Sequence, residues 1–198
     1  MQDRPDVSLG TRSPGSGADA VFVDRSCGSC GPCLAGAGLW CLRPTAQGRD
    51  LAGPVPVDRV DSLAAALRAA AALAEVSTVG TVLAVGDEDG ALGVLVRAVT
   101  DARVLVVPDP FDAGVKDELG RLEASGRAPV VVAGPDVRAA VRAVRRGGQV
   151  CTGGPVATLP SVTELVQREV TLIGPRDVAG LIRRLDQDTW NSAVAAAA

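Results

Sequence analysis

The 198-residue sequence contains no histidine and no tyrosine, and it has only two phenylalanines and two tryptophans. Without histidine there is no imidazole acid or base, no histidine metal ligand, and no Ser-His-Asp or Cys-His catalytic pairing. Without tyrosine, mechanisms that use a phenol hydroxyl as the proton donor are excluded. Four aromatic side chains also provide little surface on which nucleic-acid bases could stack. Many classes of enzyme and of nucleic-acid-binding module are therefore excluded by composition.

Charge and hydropathy indicate which partners and which cellular location to expect. Lys116 is the only lysine, the formal net charge is -3 and the sequence pI is about 5.0, which argues against nucleic acid as the main partner. No uncharged apolar stretch reaches the roughly 18 residues that a membrane span requires. Residues 1–19 are polar and rich in Pro, Gly and Ser, so they do not resemble a secretory signal. These features predict a cytoplasmic protein whose thiols stay reduced.

Composition divides the chain into five stretches. Residues 1–20 are predicted to be a flexible tail, and residues 191–198 a frayed end. Between them we expect a Cys- and Gly-rich lobe, a Pro/Val connector and one larger domain, at 21–50, 51–61 and 62–190. The lobe holds too little apolar volume to form a core of its own.

The larger domain alternates strand-like and helix-like patterns. The apolar runs predicted to be strands are Thr81–Val85, Arg103–Val107, 129–133, Gln149–Thr152 and 170–173. The segments predicted to be helices are 62–75, 91–100, 113–124, 136–146, 161–168 and 177–185. Unbroken β-branched runs that alternate with helices indicate a parallel sheet covered on both faces. The predicted fold class is α/β, a doubly wound parallel sheet of about five strands with a small cysteine-rich lobe.

Four of the five cysteines are closely spaced. Cys27, Cys30, Cys33 and Cys41 follow the pattern C-x2-C-x2-C-x7-C. Two-residue gaps allow thiolates to converge on one ion, and four thiolates around Zn²⁺ form a closed site with no position for water or substrate. We therefore predict one structural zinc ion per chain at these residues.

Two alternatives to zinc are considered. In the first, the thiols hold no metal. In the second, they hold an iron–sulfur cluster, because C-x2-C-x2-C also opens bacterial iron–sulfur motifs. Those motifs continue with C-x3-C-P, whereas here the fourth cysteine follows after seven residues and precedes Leu42. The fifth cysteine, Cys151, lies within a predicted strand and is expected to be a small buried apolar residue.

The segment CGSCGPCLAGAGLWC resembles the structural-zinc lobe of medium-chain, zinc-containing alcohol dehydrogenases. Later segments resemble, in the same order, the first two nucleotide-domain strands, a turn into a late strand, and the final strand of that family: 80–86, 103–109, 144–150 and 165–174. The resemblance covers about residues 21–180. It implies a Rossmann-like domain that would bind a nicotinamide dinucleotide.

The departures from the family are as informative as the resemblance. Family members are roughly twice this size and hold a second, catalytic zinc with Cys and His ligands. No histidine exists here to supply such a ligand, and one β–α unit of the nucleotide domain has no counterpart. The sequence is therefore interpreted as a shortened, degenerate relative with no catalytic residues.

The dinucleotide turn also departs from the family pattern G-x-G-x-x-G. When the pattern is started at Gly86, Glu88 replaces the second glycine and Ala91 the third. Residues 87–89 are three consecutive acids, which would repel a pyrophosphate. Of the residues that could contact a cofactor, we retain Gly86 and Asp109, the latter as a ribose ligand or an ordinary turn residue. Binding of NAD(P) is therefore not expected.

Other residues provide no alternative active site. The acids Glu123, Glu164, Glu169 and Asp177 are interpreted as parts of solvated helix faces. Residues 152–155 follow a predicted strand and are interpreted as a tight turn.

Three functional hypotheses follow. The first is a non-catalytic, dehydrogenase-derived zinc protein that assembles or binds a partner enzyme. The second is an enzyme, either an NAD(P)-dependent oxidoreductase or one with a repurposed cleft, and the third is a zinc-knuckle nucleic-acid binder. In the resembled family the final strand pairs with its twofold mate, so we expect a homodimer through residues 170–173 (Val170 to Ile173) that Thr171→Pro would weaken.

Overall fold

The computed structural model describes residues 9–12, 19–35, 37–46, 48–77, 80–134, 136–153 and 157–197. These residues form a five-stranded parallel sheet with helices on both faces and a smaller antiparallel sheet beside it. No helix among them combines the length and apolar character needed to cross a membrane.

The parallel sheet confirms the predicted fold class. Its strands are β5 (Thr81–Val85), β6 (Arg103–Val107), β7 (Val130–Ala133), β8 (Gln149–Thr152) and β9 (Thr171–Ile173). The order across the sheet is β6-β5-β7-β8-β9, and every neighbouring pair is parallel. Chain order reverses between β5 and β7, and in open α/β sheets the crevice at such a reversal is where ligands bind.

Eight α-helices accompany the two sheets in the described part of the chain. They are α1 (Gly31–Leu34), α2 (Val60–Ala74), α3 (Ala91–Val99), α4 (Ala113–Leu122), α5 (Val137–Ala143), α6 (Val162–Arg168), α7 (Val178–Arg184) and α8 (Gln187–Ala195). Helices α2 and α3 pack on one face of the sheet. Helices α4, α5 and α6 pack on the other face. The sheet is therefore doubly wound, as predicted.

Side-chain caps explain where several helices begin. Asp112, Asp136, Asp177 and Asp186 each accept a hydrogen bond from a backbone N–H in the first turn of the following helix. Ser161 and Glu164 form a capping box. The Ser161 hydroxyl accepts from the Glu164 N–H, and the Glu164 carboxylate accepts from the Ser161 N–H. Asp177, interpreted from sequence as part of a solvated face, is therefore a helix cap.

The smaller sheet differs from the predicted tail. It comprises β1 (Leu9–Arg12), β2 (Asp19–Asp24), β3 (Arg49–Asp50) and β4 (Val55–Pro56), with β2 antiparallel to each of the other three. Residues 9–12 and 19–20 were expected to be flexible, but they are strands because β2 supplies a partner for the backbone of β1. The remainder of the predicted tail lies outside the described residues.

The C-terminal segment is also ordered where a frayed end was expected. Helix α8 continues to Ala195, Ala193 is fully buried and Ala197 is 2% exposed. The expectation for 191–198 was wrong over 191–197, because Trp190 anchors the helix in the core formed by α2, α3 and α7. Residue 198 lies outside the described part.

Candidate metal centre and dinucleotide turn

The structure brings the four closely spaced cysteines together. Their Sγ atoms all lie within 4.8 Å of one another. Gly28 has φ +70°, a left-handed conformation that glycine adopts without strain, and it turns the chain between the first two cysteines. Helix α1 begins directly after Cys30 and carries Cys33, and a 3₁₀ turn ending at Trp40 then delivers Cys41. We refer to Cys27, Cys30, Cys33 and Cys41 as the cysteine cluster.

The sulfur separations fit one tetrahedral ion. A Zn–S bond of about 2.3 Å in tetrahedral geometry implies sulfur atoms about 3.8 Å apart. The observed Sγ separations are 3.4 Å for Cys30 and Cys33, 3.9 Å for Cys30 and Cys41, and 4.0 Å for Cys27 and Cys33. The cluster is therefore positioned to bind a metal ion. Among the described residues, no second group of three or more metal-ligating side chains is found.

Backbone N–H groups support the sulfur atoms. The Cys27 N–H lies 3.3 Å from Cys41 Sγ, and the Ser29 hydroxyl lies 3.5 Å from Cys27 Sγ. Hydrogen bonds from the Ser29 backbone and hydroxyl lower the pKa of Cys27 to about 5, whereas burial raises the pKa of Cys33 to about 12. Deprotonation of all four thiols would place like charges about 4 Å apart, and a divalent cation would remove that repulsion.

A partly buried ion pair fixes the lobe to the larger domain. Asp24 at the end of β2 is 7% exposed, accepts a hydrogen bond from Ser26 N at 2.8 Å, and pairs with Arg183 of α7. Burial by itself would raise the pKa of Asp24, but the hydrogen bonds from Ser26 and Arg183 hold it below its ordinary value. This contact orients the chain immediately before Cys27.

The dinucleotide turn does not follow the glycine pattern expected from sequence. Gly86 directly follows β5, and its N–H donates to the carbonyl oxygen of Val107, 2.8 Å away. Gly90 is the N-cap of α3. A Cβ atom on Gly93 would lie 2.8 Å from Glu88 O and 3.4 Å from Val106 Cγ2. The glycine that allows close helix–strand packing is therefore Gly93, two residues after Ala91, which stands in the third glycine's place when the pattern is started at Gly86.

The loop between Gly86 and Gly90 has three residues where G-x-G-x-x-G has one between its first two glycines, and all three are acidic. Asp87, Glu88 and Asp89, which we call the acidic loop, are all exposed. The spacing of Gly90 and Gly93 equals that of the second and third glycines of G-x-G-x-x-G, with two additional residues before them. The two spare residues are the signal that could have identified this register.

Residues after α8 occupy the amino end of α3. The Ala91 N–H, the first of α3, donates to the carbonyl oxygen of Ala196 at 3.1 Å. Arg59 Nη1 in turn donates to the carbonyl oxygens of Val194 and Ala195 at 3.0 and 3.1 Å. In dinucleotide-binding folds the N–H groups at this helix end contact the pyrophosphate. Here one of them is already bonded to a carbonyl oxygen of the same chain.

The remaining residues singled out from sequence lie elsewhere. Asp109 is exposed after β6, and its carboxylate accepts a hydrogen bond from Phe111 N at 2.8 Å, as in an ordinary turn. Glu123 is not on a solvated face, because its carboxylate accepts from Thr81 N at 2.6 Å. Cys151 is fully buried, as predicted.

The two glutamates of the α6 region are paired rather than merely solvated. Glu164 contacts Arg138 and Arg142, and Glu169 contacts Arg146. Glu169 also has φ 56° and ends α6 in the left-handed conformation. These arginine contacts stabilise helix packing and bring no second carboxylate to either glutamate.

The chain is similar in fold to medium-chain alcohol dehydrogenases of known structure. It matches the alcohol dehydrogenase of the archaeon Aeropyrum pernix with a TM-score of 0.54 and 16% identity, over 97% of this chain and 72% of that one. It matches L-idonate 5-dehydrogenase of Escherichia coli with a TM-score of 0.51 and 16% identity, over 97% and 69% of the two chains. An NAD-dependent alcohol dehydrogenase gives a TM-score of 0.52 and 16% identity, over 86% and 66%.

These identities establish likeness of fold alone. The chain spans 66% of that NAD-dependent dehydrogenase and 64% of a zinc-binding dehydrogenase from Clostridium scindens. No protein-family model matches the sequence, and no curated protein matches it.

Proposed function

We propose that this protein is a shortened, degenerate relative of the medium-chain zinc alcohol dehydrogenases that has kept the structural zinc lobe and lost catalysis. Its function would be assembly, or binding of a partner enzyme. One observation carries the proposal: the amino end of α3, where a dinucleotide would bind, holds the Ala196 carbonyl and faces the acidic loop. The chain's lack of histidine removes the usual ligand of a catalytic zinc ion as well.

Electrostatics oppose a dinucleotide at this site. At about 4 Å and in a high effective dielectric, each contact between like charges is unfavourable by about 1–4 kcal/mol. The acidic loop carries three carboxylates and directly precedes the amino end of α3, where two phosphate charges would lie. Together they offset most of the roughly 8 kcal/mol that corresponds to micromolar binding. An incoming phosphate would also have to displace the Ala196 carbonyl from the Ala91 N–H.

Calorimetric titration with NADH and NADPH tests the loss of cofactor binding. We expect no heat of binding below about millimolar dinucleotide, and no turnover of simple alcohols or aldehydes. The matched variant carries Asp87→Asn, Glu88→Gln and Asp89→Asn, which removes the repulsion but leaves the Ala196 contact in place. An affinity of tens of micromolar for NADH in the wild type would favour the alternative, an NAD(P)-dependent oxidoreductase. The observation that supports this alternative is the likeness of fold to alcohol dehydrogenases.

We further propose that the metal at the cysteine cluster is zinc. Reduced thiols fit a cytoplasmic location, and the four-sulfur set would hold Zn²⁺ structurally, with no position for substrate. Elemental analysis should give one zinc per chain. Cys30→Ser should abolish zinc retention and disorder residues 24–44, whereas Cys151→Ser, outside the cluster, should retain the metal. Brown protein containing iron and sulfide, or two zinc ions per chain, would contradict the assignment.

A homodimer through β9 is the assembly we propose. Leu172 on β9 is 37% exposed, and on the adjacent helix α6 the side chains of Val162 and Val166 are 76% and 69% exposed. Antiparallel pairing of two β9 strands about a twofold axis would satisfy their edge groups and cover these side chains. A heterodimer with a partner enzyme at the same edge is the alternative.

The structure changes which substitution tests the dimer. The Thr171 N–H donates to Gly148 O within the sheet, at 3.1 Å, so Thr171→Pro would damage the fold itself. Because N–H groups alternate along a strand, Leu172 presents its N–H outwards, and Leu172→Pro is the informative change. Leu172→Thr, which keeps the backbone donor, is the control. Light scattering should give about 40 kDa for wild type and control, and a lower mass for Leu172→Pro; a 20 kDa wild type at micromolar concentration would refute the dimer.

A further inference from the structure

The sheet has a second open edge at β6. Strand β6 is bonded to β5 on one side, and among the described residues no strand pairs with its other side. The chain leaves β6 through residues 108–112 and crosses one face of the sheet as α4 before it returns as β7, on the far side of β5. The outer side of β6 is therefore the end of the sheet.

The direction of the backbone groups on β6 follows from one hydrogen bond. Val107 accepts from Gly86 N, so the backbone groups of Val107 face β5. Since groups alternate along a strand, those of Leu105 also face β5, whereas the N–H and C=O groups of Val104 and Val106 face outwards. A second strand lying along this side would bond to Val104 and Val106.

The side chains of β6 are only half covered. Val104 and Val106 pack toward the α2/α3 face, and Leu105 and Val107 toward the α4/α5 face, yet all four are partly exposed. In contrast, residues 81–84 of β5 are buried. Phe111, just beyond β6, is 54% exposed.

Strand β6 also lacks the features that usually prevent edge pairing. Within Arg103–Val107 it has five residues, no proline, no lysine and no bulge, whereas β9 has three residues; a proline follows each strand, Pro108 after β6 and Pro175 after β9. Arg103, the only charged residue of β6, is paired with Glu118 at 3.2 Å. Of the two edges, β6 therefore offers the longer template.

Charge indicates what would bind there. The acids at the carboxyl end of β6 are Asp87, Glu88, Asp89, Asp109 and Asp112, and the nearby bases are Arg97 and Lys116. At the amino end, Asp101 and Glu118 are balanced by Arg103 and Arg121. The edge thus runs from a neutral end to a negative end, which selects against an acidic segment and favours a segment that is basic at one end.

We propose that the outer side of β6 binds an extended segment of a partner protein by strand addition, with basic side chains at the end beside Val107. This inference rests on the partner-binding role proposed above and specifies its surface and chemistry. Main-chain bonds to Val104 and Val106 would give affinity, and the acidic loop would give orientation and specificity.

Fluorescence anisotropy with synthetic capped peptides tests the proposal. The probes are TVTVTRR and RRTVTVT, which place the basic end beside Val107 in parallel and antiparallel addition respectively, and the acidic control TVTVTEE. One basic probe should bind at least tenfold more tightly than the acidic control, and the difference should shrink at high salt. Equal binding of all three probes, or no binding at millimolar peptide, would overturn the proposal.

Two variants locate the binding surface. Val106→Pro removes an outward N–H without removing a bond to β5, and should weaken binding of the basic probe at least tenfold; Val106→Thr, which keeps the donor, should not. If Val106→Pro fails to fold, amide exchange of the wild type serves instead: the Val104 and Val106 amides should exchange faster than that of Leu105 and be protected by the probe.

The same variants separate this proposal from its alternatives. If Val106→Pro lowers the mass of the protein in light scattering, the occupant of β6 is a second copy of the chain and the partner proposal is wrong. If neither the peptides nor NADH binds, the proposed loss of catalysis is retained and only the proposed β6 binding surface is refuted.

Discussion

Truncation of Trp190 tests whether α8 is an integral part of the core. Trp190 is 4% exposed, and its ring meets that of Phe22 nearly at right angles, with centroids 6.2 Å apart. Replacing a buried tryptophan with alanine destabilises a protein by about 3–5 kcal/mol, of which an edge-to-face ring pair accounts for about 0.5–1.5 kcal/mol. Against a total stability of about 5–15 kcal/mol, Trp190→Ala should shift the unfolding transition strongly.

The chain provides a matched control in its other tryptophan. Trp40, next to the cysteine cluster, is 65% exposed, so Trp40→Ala should change the free energy of unfolding by less than about 0.5 kcal/mol. Urea unfolding followed by far-ultraviolet circular dichroism measures both variants. In Trp190→Ala the Ala91 amide should also exchange faster, since its acceptor is Ala196. Equal losses in the two variants, or a loss below about 1 kcal/mol for Trp190→Ala, would refute the packing described for α8.

Two further perturbations have effects that the structure predicts directly. A Cβ atom on Gly153 would lie 2.2 Å from the backbone nitrogen of Ala69 in α2, so Gly153→Ala should destabilise the fold by about 3 kcal/mol in urea unfolding. The control is Gly120→Ala in α4. A Cβ atom there meets no atom within 4 Å, so this change should stabilise the helix by up to about 1 kcal/mol. Hydrogen bonds from the Ser161 backbone and from two arginines of α5 lower the pKa of Glu164 to about 2, so its contribution to stability is present above pH 4.5 and is lost as the pH falls toward 2. The stability difference between the wild type and Glu164→Gln should therefore shrink across that window, and a difference independent of pH would contradict the ion pairing.

The features predicted correctly from sequence depend on local patterns. A thiolate spacing of two residues restricts the sulfur atoms to one small volume, so the convergence of Cys27 and Cys30 could be anticipated without knowing the fold. An unbroken β-branched run such as Val130–Ala133 is stable as a strand only when both of its faces are covered, which requires helices on each side. Both arguments need no information from distant parts of the chain. The five strands of the parallel sheet and the cysteine cluster were predictable for this reason.

The features that were missed depend on contacts between distant segments. The segment 187–195 is short and its sequence is mostly polar. It forms a stable helix only because Trp190 packs against Phe22, which is distant in the sequence. Glu123 looked like a surface acid until β5 placed the Thr81 N–H beside it. The same reasoning applies to the dinucleotide turn: its sequence suggests a site weakened by acids alone, whereas the fold adds a carbonyl from Ala196 at the helix end. Occupation of a helix N-terminus by a carbonyl of the same chain leaves no motif in the sequence, because any residue could provide that backbone carbonyl.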